Sequence, residues 1–197
     1  MWQHFIWFMQ SQVVRSIVTP DGIVTAHADR MLLFRPHRGR EQMLRLSARV
    51  TVMLACIGPQ DRVFRLLVGD SNGSVHLFSL PELNLIESHE LGKSSVSALT
   101  LHEPGGRKRV IAGLQNGDVF AFGEGIPTGS LKLFSISGPI GLIRSNEEIL
   151  TIHSGWSREV RHWNGDVVTP AKRWFEPPTP PKKGGTQQLI LPKAVPA

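Results

Sequence analysis

Arg62-Val-Phe-Arg-Leu-Leu-Val-Gly69, Asp70-Ser-Asn-Gly73, Ser74-Val-His-Leu-Phe78 reads as strand, turn, strand. Apolar residues alternate along the second flank, the two-residue period of a strand with one buried side. Asn72-Gly73 is a hairpin signal, because both central residues of a type I′ turn need a positive φ. The pattern returns 44 residues on as Val110-Ile-Ala-Gly113, Leu114-Gln-Asn-Gly117, Asp118-Val-Phe-Ala-Phe122. Two Asn-Gly hairpins at that separation mark a repeat longer than any hairpin or helix.

Working outward, two further copies lack the Asn-Gly pair. The first reads Gly22-Ile-Val-Thr-Ala26, His27-Ala-Asp-Arg30, Met31-Leu-Leu-Phe34, and the fourth Ile149-Leu-Thr-Ile152, His153-Ser-Gly-Trp156, Glu159-Val-Arg-His-Trp163. Each copy ends on a large aromatic, at Phe34, Phe78, Phe122 and Trp163, at intervals of 44, 44 and 41 residues. A period of about 40–45 residues is that of a propeller blade, one four-stranded sheet per repeat. Upstream apolar strands are expected near Val13–Val18, Val50–Ile57, Val96–Leu101 and Ile140–Arg144. Outer strands are expected near Gln42–Leu46, Asn84–Glu90, Ser130–Ser135 and Asp166–Thr169. The expected architecture is therefore an all-β β-propeller of about four four-stranded blades, near 13–46, 50–90, 96–135 and 140–168.

Leu91-Gly-Lys-Ser-Ser-Val-Ser-Ala-Leu99 resembles the segment that joins successive blades in the WD-repeat family: Gly92 and Val96 match, and Lys93 stands where that family prefers His. Val160-Arg-His-Trp163-Asn164 is similar to the family's closing strand, with Asn164 in place of its Asp. At the other copies the closing dipeptide has drifted to Phe34-Arg35, Phe78-Ser79 and Phe122-Gly123. No copy carries the full Gly-His and Trp-Asp set, which leaves the family's His–Asp hydrogen-bond network without its usual residues. The third copy is also similar to quinoprotein-type repeats, which are propellers too. The WD-repeat resemblance implies a non-catalytic protein–protein interaction scaffold. It also implies rings usually larger than four blades, so the ring is a small closed one, closes by self-association or is part of a longer chain, and an incomplete ring is expected over a closed four-bladed one.

Composition sharpens the functional classes. The formal charge is +6, yet residues 169–197 hold Lys172, Arg173, Lys182, Lys183 and Lys193 against Glu176, a net +4. The preceding 168 residues therefore carry only +2, a nearly neutral body followed by a basic tail. That tail holds seven of the fourteen prolines and reads as extended or disordered. Within it Pro177, Pro180 and Lys182 fit P-x-x-P-x-K/R, a polyproline II ligand with a basic orienting residue. Thr169-Pro170 and Thr179-Pro180 are acceptors for proline-directed phosphorylation. In the body, Arg30, Arg35, Arg38, Arg40, Arg45 and Arg49 are interrupted only by Glu41. Arg35, His37, Arg38 and Arg40 are the candidate anion- or partner-binding residues, matched to nucleic-acid phosphates or acidic lipid headgroups.

No catalytic, cofactor or metal residues are expected. The single Cys56 cannot form an intrachain disulfide and sits in an apolar run, which points to a reducing compartment, cytoplasm or nucleus. His27 and His153 read as equivalent hairpin residues without a recurring carboxylate beside them. Glu147-Glu148 reads as a solvated turn. The apolar segment Met1–Met9 is too short for a membrane span and reads as an opening strand.

Overall fold

The computed structural model describes residues 12–57, 64–126, 129–155, 157–164, 168–169 and 172–175. Among the described residues sixteen strands form four separate four-stranded antiparallel sheets, each pairing in simple meander order. The first comprises β1 (Val13–Thr19), β2 (Gly22–His27), β3 (Met31–Pro36) and β4 (Gln42–Arg45). The second comprises β5 (Val50–Ile57), β6 (Phe64–Asp70), β7 (Ser74–Ser79) and β8 (Leu85–Glu90). The third comprises β9 (Val96–His102), β10 (Arg109–Leu114), β11 (Asp118–Gly123) and β12 (Leu131–Ser135). The fourth comprises β13 (Leu142–Asn146), β14 (Ile149–Ser154), β15 (Ser157–His162) and β16 (Lys172–Phe175).

The last strand corrects the sequence reading. The fourth sheet draws its outer strand from Lys172–Phe175, inside the segment assigned to the tail, and not from 166–169. Val168 contributes only an isolated bridge to Trp163. Four basic or aromatic residues between prolines gave no period-two signal, so only pairing with β15 identifies the strand.

The hairpin chemistry also differs from expectation. Residues 71–73 and 115–117 form three-residue loops between paired strands, and only their glycines, Gly73 and Gly117, have positive φ, 89° and 92°. That is the geometry of a type I turn followed by a left-handed residue, not of a two-residue I′ turn. In the first sheet the same left-handed position is held by Arg30, at φ 71°.

These loops fix the true equivalences. Leu46 N donates to Arg30 O, Leu91 N to Gly73 O and Ile136 N to Gly117 O, at 2.9, 3.0 and 2.9 Å. The first two sheets are therefore offset by 43 residues and the next two by 44. Phe34, 44 residues before Phe78, is one place out of step and faces the other way, since a slip of one residue reverses every side chain. Phe34 packs forward onto the second sheet, with Val24, Ala26 and Leu32 against Leu66, Val68 and Phe78. Phe78 and Phe122 face back toward the preceding sheet. The shorter loop of the fourth sheet, where Ser154 pairs with Ser157, puts Trp163 two places beyond the Phe122 position. Only two of the four aromatics are equivalent, although the repeat they suggested is real.

Three apolar clusters hold the array together, one at each junction between successive sheets. The inner strands pack in order, β1 on β5, β5 on β9 and β9 on β13. Among the described residues no comparable packing joins β13 to β1, so the ring is open. Hydroxyls bind neighbouring sheets at the inner strands: Thr51 Oγ1 donates to Val96 O, and Ser97 Oγ to Ile140 O.

Candidate interaction surface

The turns that follow β1, β9 and β13, together with the β3–β4 and β7–β8 connections, lie at one rim of the array. Antiparallel pairing sends the arginine-rich stretch of the first sheet in two directions. Arg30 and Arg49 fall at the opposite rim, where Arg30 Nη1 donates to Ser47 O. Arg35, His37, Arg38 and Arg40 stay together around the β3–β4 connection, all exposed, with His37 N bonded to Asp21 O at 2.9 Å. Arg35 Nε is paired with Glu41 Oε1 at 2.5 Å, which spends one cation of the set. Neither Arg38 nor Arg40 has a carboxylate partner among the described residues. Pro177, Pro180 and Lys182 lie outside the described residues, as do Thr179 and Met1–Met9.

Farther round the rim the charge reverses. Glu103, Glu147 and Glu148 are exposed and line, with His162, a shallow cleft of about 340 Å³ between the third and fourth sheets. Glu147–Glu148 is the turn joining β13 to β14, as expected, and Glu147 holds φ at 49°. A deeper cleft of about 210 Å³ separates the second and third sheets. Leu67, Leu77, Leu101 and Phe122 form apolar walls, and Arg65 and Lys108 are cations in its lining. Cys56 also lines it, and burial pushes its thiol pKa up despite the two cations. That opposes thiolate formation, so Cys56 behaves as a small hydrophobe.

The most buried polar group on this side was invisible in the sequence. His102 bonds through Nε2 to Trp163 O at 3.0 Å and through Nδ1 to Ser145 Oγ at 2.6 Å. Its ring stacks on Trp163, centroids 5.1 Å apart, while the Arg109 guanidinium lies 4.8 Å from the Trp163 ring centroid. A carbonyl only accepts, so Nε2 carries the proton and Nδ1 accepts from the serine hydroxyl. Burial holds the His102 pKa below its ordinary value of 6.5, against the opposing bond to Trp163. The unfolded chain therefore takes up a proton near pH 6.5 while the folded one does not. Stability contributed here is present above that pH and lost as pH falls below it, by about 1.4 kcal/mol per unit of pKa depression. Urea unfolding at pH 7.5 and 5.0 should show the loss, and His102→Gln should reduce the difference between the two midpoints.

Asp70 organises the loop between β6 and β7. Its Oδ1 accepts from Asn72 N and Ser74 N, both at 2.9 Å, and Oδ2 lies 3.1 Å from His76 Nε2. His76 Nδ1 meets Ser88 Oγ at 2.9 Å, extending the chain of bonds to the outer strand. Burial would raise the Asp70 pKa, but the bonds from His76 and the two amides outweigh it and lower the value. The second sheet thus has its own Asp–His–Ser network, made from residues outside the WD-repeat pattern.

His27 and His153 are not equivalent. His27 is the last residue of β2 and buried, while His153 is the penultimate residue of β14 and half-buried, so the two stand one register place apart in their sheets. Among the described residues no cluster of three His, Cys, Asp or Glu is placed to hold a metal. No helix there is long and apolar enough to cross a membrane.

No protein-family profile matches the chain. No curated protein matches it either. Solved structures do, at the level of fold. The computationally designed protein Ika8 is 16% identical with a TM-score of 0.66 over 83% of this chain and 49% of its own. U3-55K, a WD-repeat protein, is 14% identical at a TM-score of 0.66 over 84% and 52%. The designed protein Ika4 is 16% identical at 0.58, over 84% of this chain and 92% of its own. The chain spans about half the length of the first two. These likenesses and the four sheets together make the fold a β-propeller arrangement, built of four four-stranded blades in an open ring.

Proposed function

We propose that the protein is a non-catalytic protein–protein interaction scaffold, acting in the cytoplasm or nucleus. One observation carries the reading. Exposed side chains of both signs, Arg38 and Arg40 on the first blade and Glu103, Glu147 and Glu148 on the third and fourth, stand on one rim. Loops anchored between paired strands present such groups without much ordering cost on binding. The likeness to a WD-repeat protein supports the reading at the level of architecture.

A photo-crosslinking residue placed at position 38 or 147 in the native cell should yield discrete protein adducts. Arg38→Glu with Arg40→Glu should remove the adducts at position 147 if one partner spans the rim. Adducts to nucleic acid or lipid alone would reject the scaffold.

A second reading is favoured by Arg38 and Arg40, which have no carboxylate partner among the described residues: contact with an anionic surface, nucleic-acid phosphate or acidic headgroup, aided by the basic tail. In that case affinity for single-stranded nucleic acid should fall steeply with salt. Arg35, Arg38 and Arg40 to Ala should each flatten the log–log slope by about 0.7 where a phosphate contact is lost.

A further inference from the structure

Each internal junction is closed by a plug and a socket. The plug is the apolar residue at the start of an inner strand or just before it, and the socket is a small residue in the second strand of the preceding sheet. A Cβ built on Gly113 would lie 2.7 Å from Ile140 Cγ2 and 2.9 Å from Ile143 Cδ1. One built on Gly69 would lie 2.7 Å from Val96 Cγ1. At the first junction Val50 and Ala26 share a cluster in the corresponding positions. The three plugs Val50, Val96 and Ile140 are buried, with exposures of 3%, 0% and 1%.

Strand register identifies the plug of the first sheet. Val50 pairs with Asp70 and Val96 with Leu114, each immediately before a bulge, and Val13 pairs with His27 in the same way. Val13 is 48% exposed. Around it, on the same face, Val18, Ile23 and Met43 are exposed at 76%, 39% and 56%. Half of the exposed large apolar residues among those described thus lie on this face, against which no sheet packs among the described residues.

The fourth sheet does not offer the complementary face. The same register places His153, opposite Leu142, where the other sheets have Ala26, Gly69 and Gly113. Arg158 pairs with His153 across the strands and is exposed on the same side. The hydroxyl that Thr51 and Ser97 send to the next sheet is missing as well, because Gly141 stands at that position.

We propose that the outward face of the first sheet docks a β-sheet of another protein that presents Gly or Ala opposite Val13, and that His153 prevents a second copy of this chain from supplying it. Head-to-tail association would otherwise be the default for an open repeat array, since heterologous contacts either close rings or grow filaments. The docking face is distinct from the charged rim, so neither reading of the rim depends on it.

The test uses the chain itself as the socket-bearing probe. A receiver carrying His153→Ala restores the socket, and Val13→Asp removes its own plug. Light scattering should find the wild-type chain and the receiver each monomeric, and their mixture a one-to-one complex of twice the mass. A donor carrying Val13→Asp should bind the receiver at least tenfold more weakly, with circular dichroism confirming that every variant is folded. A mixture that stays monomeric overturns the proposal. So does wild-type self-association that Val13→Asp abolishes, or a complex indifferent to Val13.

Discussion

Trp163→Ala should destabilise the fourth sheet against the third by about 3–5 kcal/mol, the cost of truncating a fully buried aromatic. Trp163 is fully buried, and it is the surface on which His102 stacks and over which Arg109 lies. Its removal leaves a cavity beneath two buried polar side chains, and their hydrogen bonds to Ser145 and to the backbones of residues 124 and 163 lose the packing that aligns them. Trp163→Phe should cost far less, because the indole Nε1 has no hydrogen-bond partner among the described residues and only area is lost. Guanidinium-induced unfolding followed by circular dichroism measures both. Equal losses from the two variants would mean that the indole makes a contact beyond packing.

Gly113→Val should be at least as damaging, for the opposite reason. The added Cβ falls 2.7 Å from Ile140, inside a junction with no room to yield, since Ile140 and Ile143 are themselves buried. Overpacking of this kind costs about 1–3 kcal/mol for modest intrusions, and a branched side chain brings two further methyl groups. Gly113→Ala with Ile140→Ala should be less destabilised than the sum of the two single variants. A double-mutant cycle reads that coupling directly, and strict additivity would mean that the two positions do not touch. At Gly69, where the opposing methyl belongs to Val96, the same pattern should recur.

The glycines at these sockets show why the repeat was easy to find and its meaning harder. Val-Gly69 and Ala-Gly113 are part of the pattern that exposed the 44-residue period. Nothing local distinguishes a glycine needed for a turn from one needed to admit a neighbour's isoleucine. Thr51 and Ser97, 46 residues apart and each followed two or three places on by apolar residues, were a readable signal for the inter-sheet hydroxyl bonds. His102, Arg109 and Trp163 offered none: His102 and Trp163 are 61 residues apart and meet only because two sheets stack. The arginine stretch was legible as a basic run, yet the chain reverses within it and keeps only Arg35, His37, Arg38 and Arg40 on one rim.

By itself the sequence determined the number of sheets, their four-strand composition and the position of nearly every strand. Alternation and turn residues are properties of neighbouring positions and survive in one dimension. Tertiary structure alone decided which face each aromatic serves, since one residue more or less in a loop reverses the side chain without altering the pattern. It also decided that β16 belongs to the fourth sheet, and that the array has a plug at one end and no socket at the other. Those are relations between sheets, and they exist only once the sheets are packed.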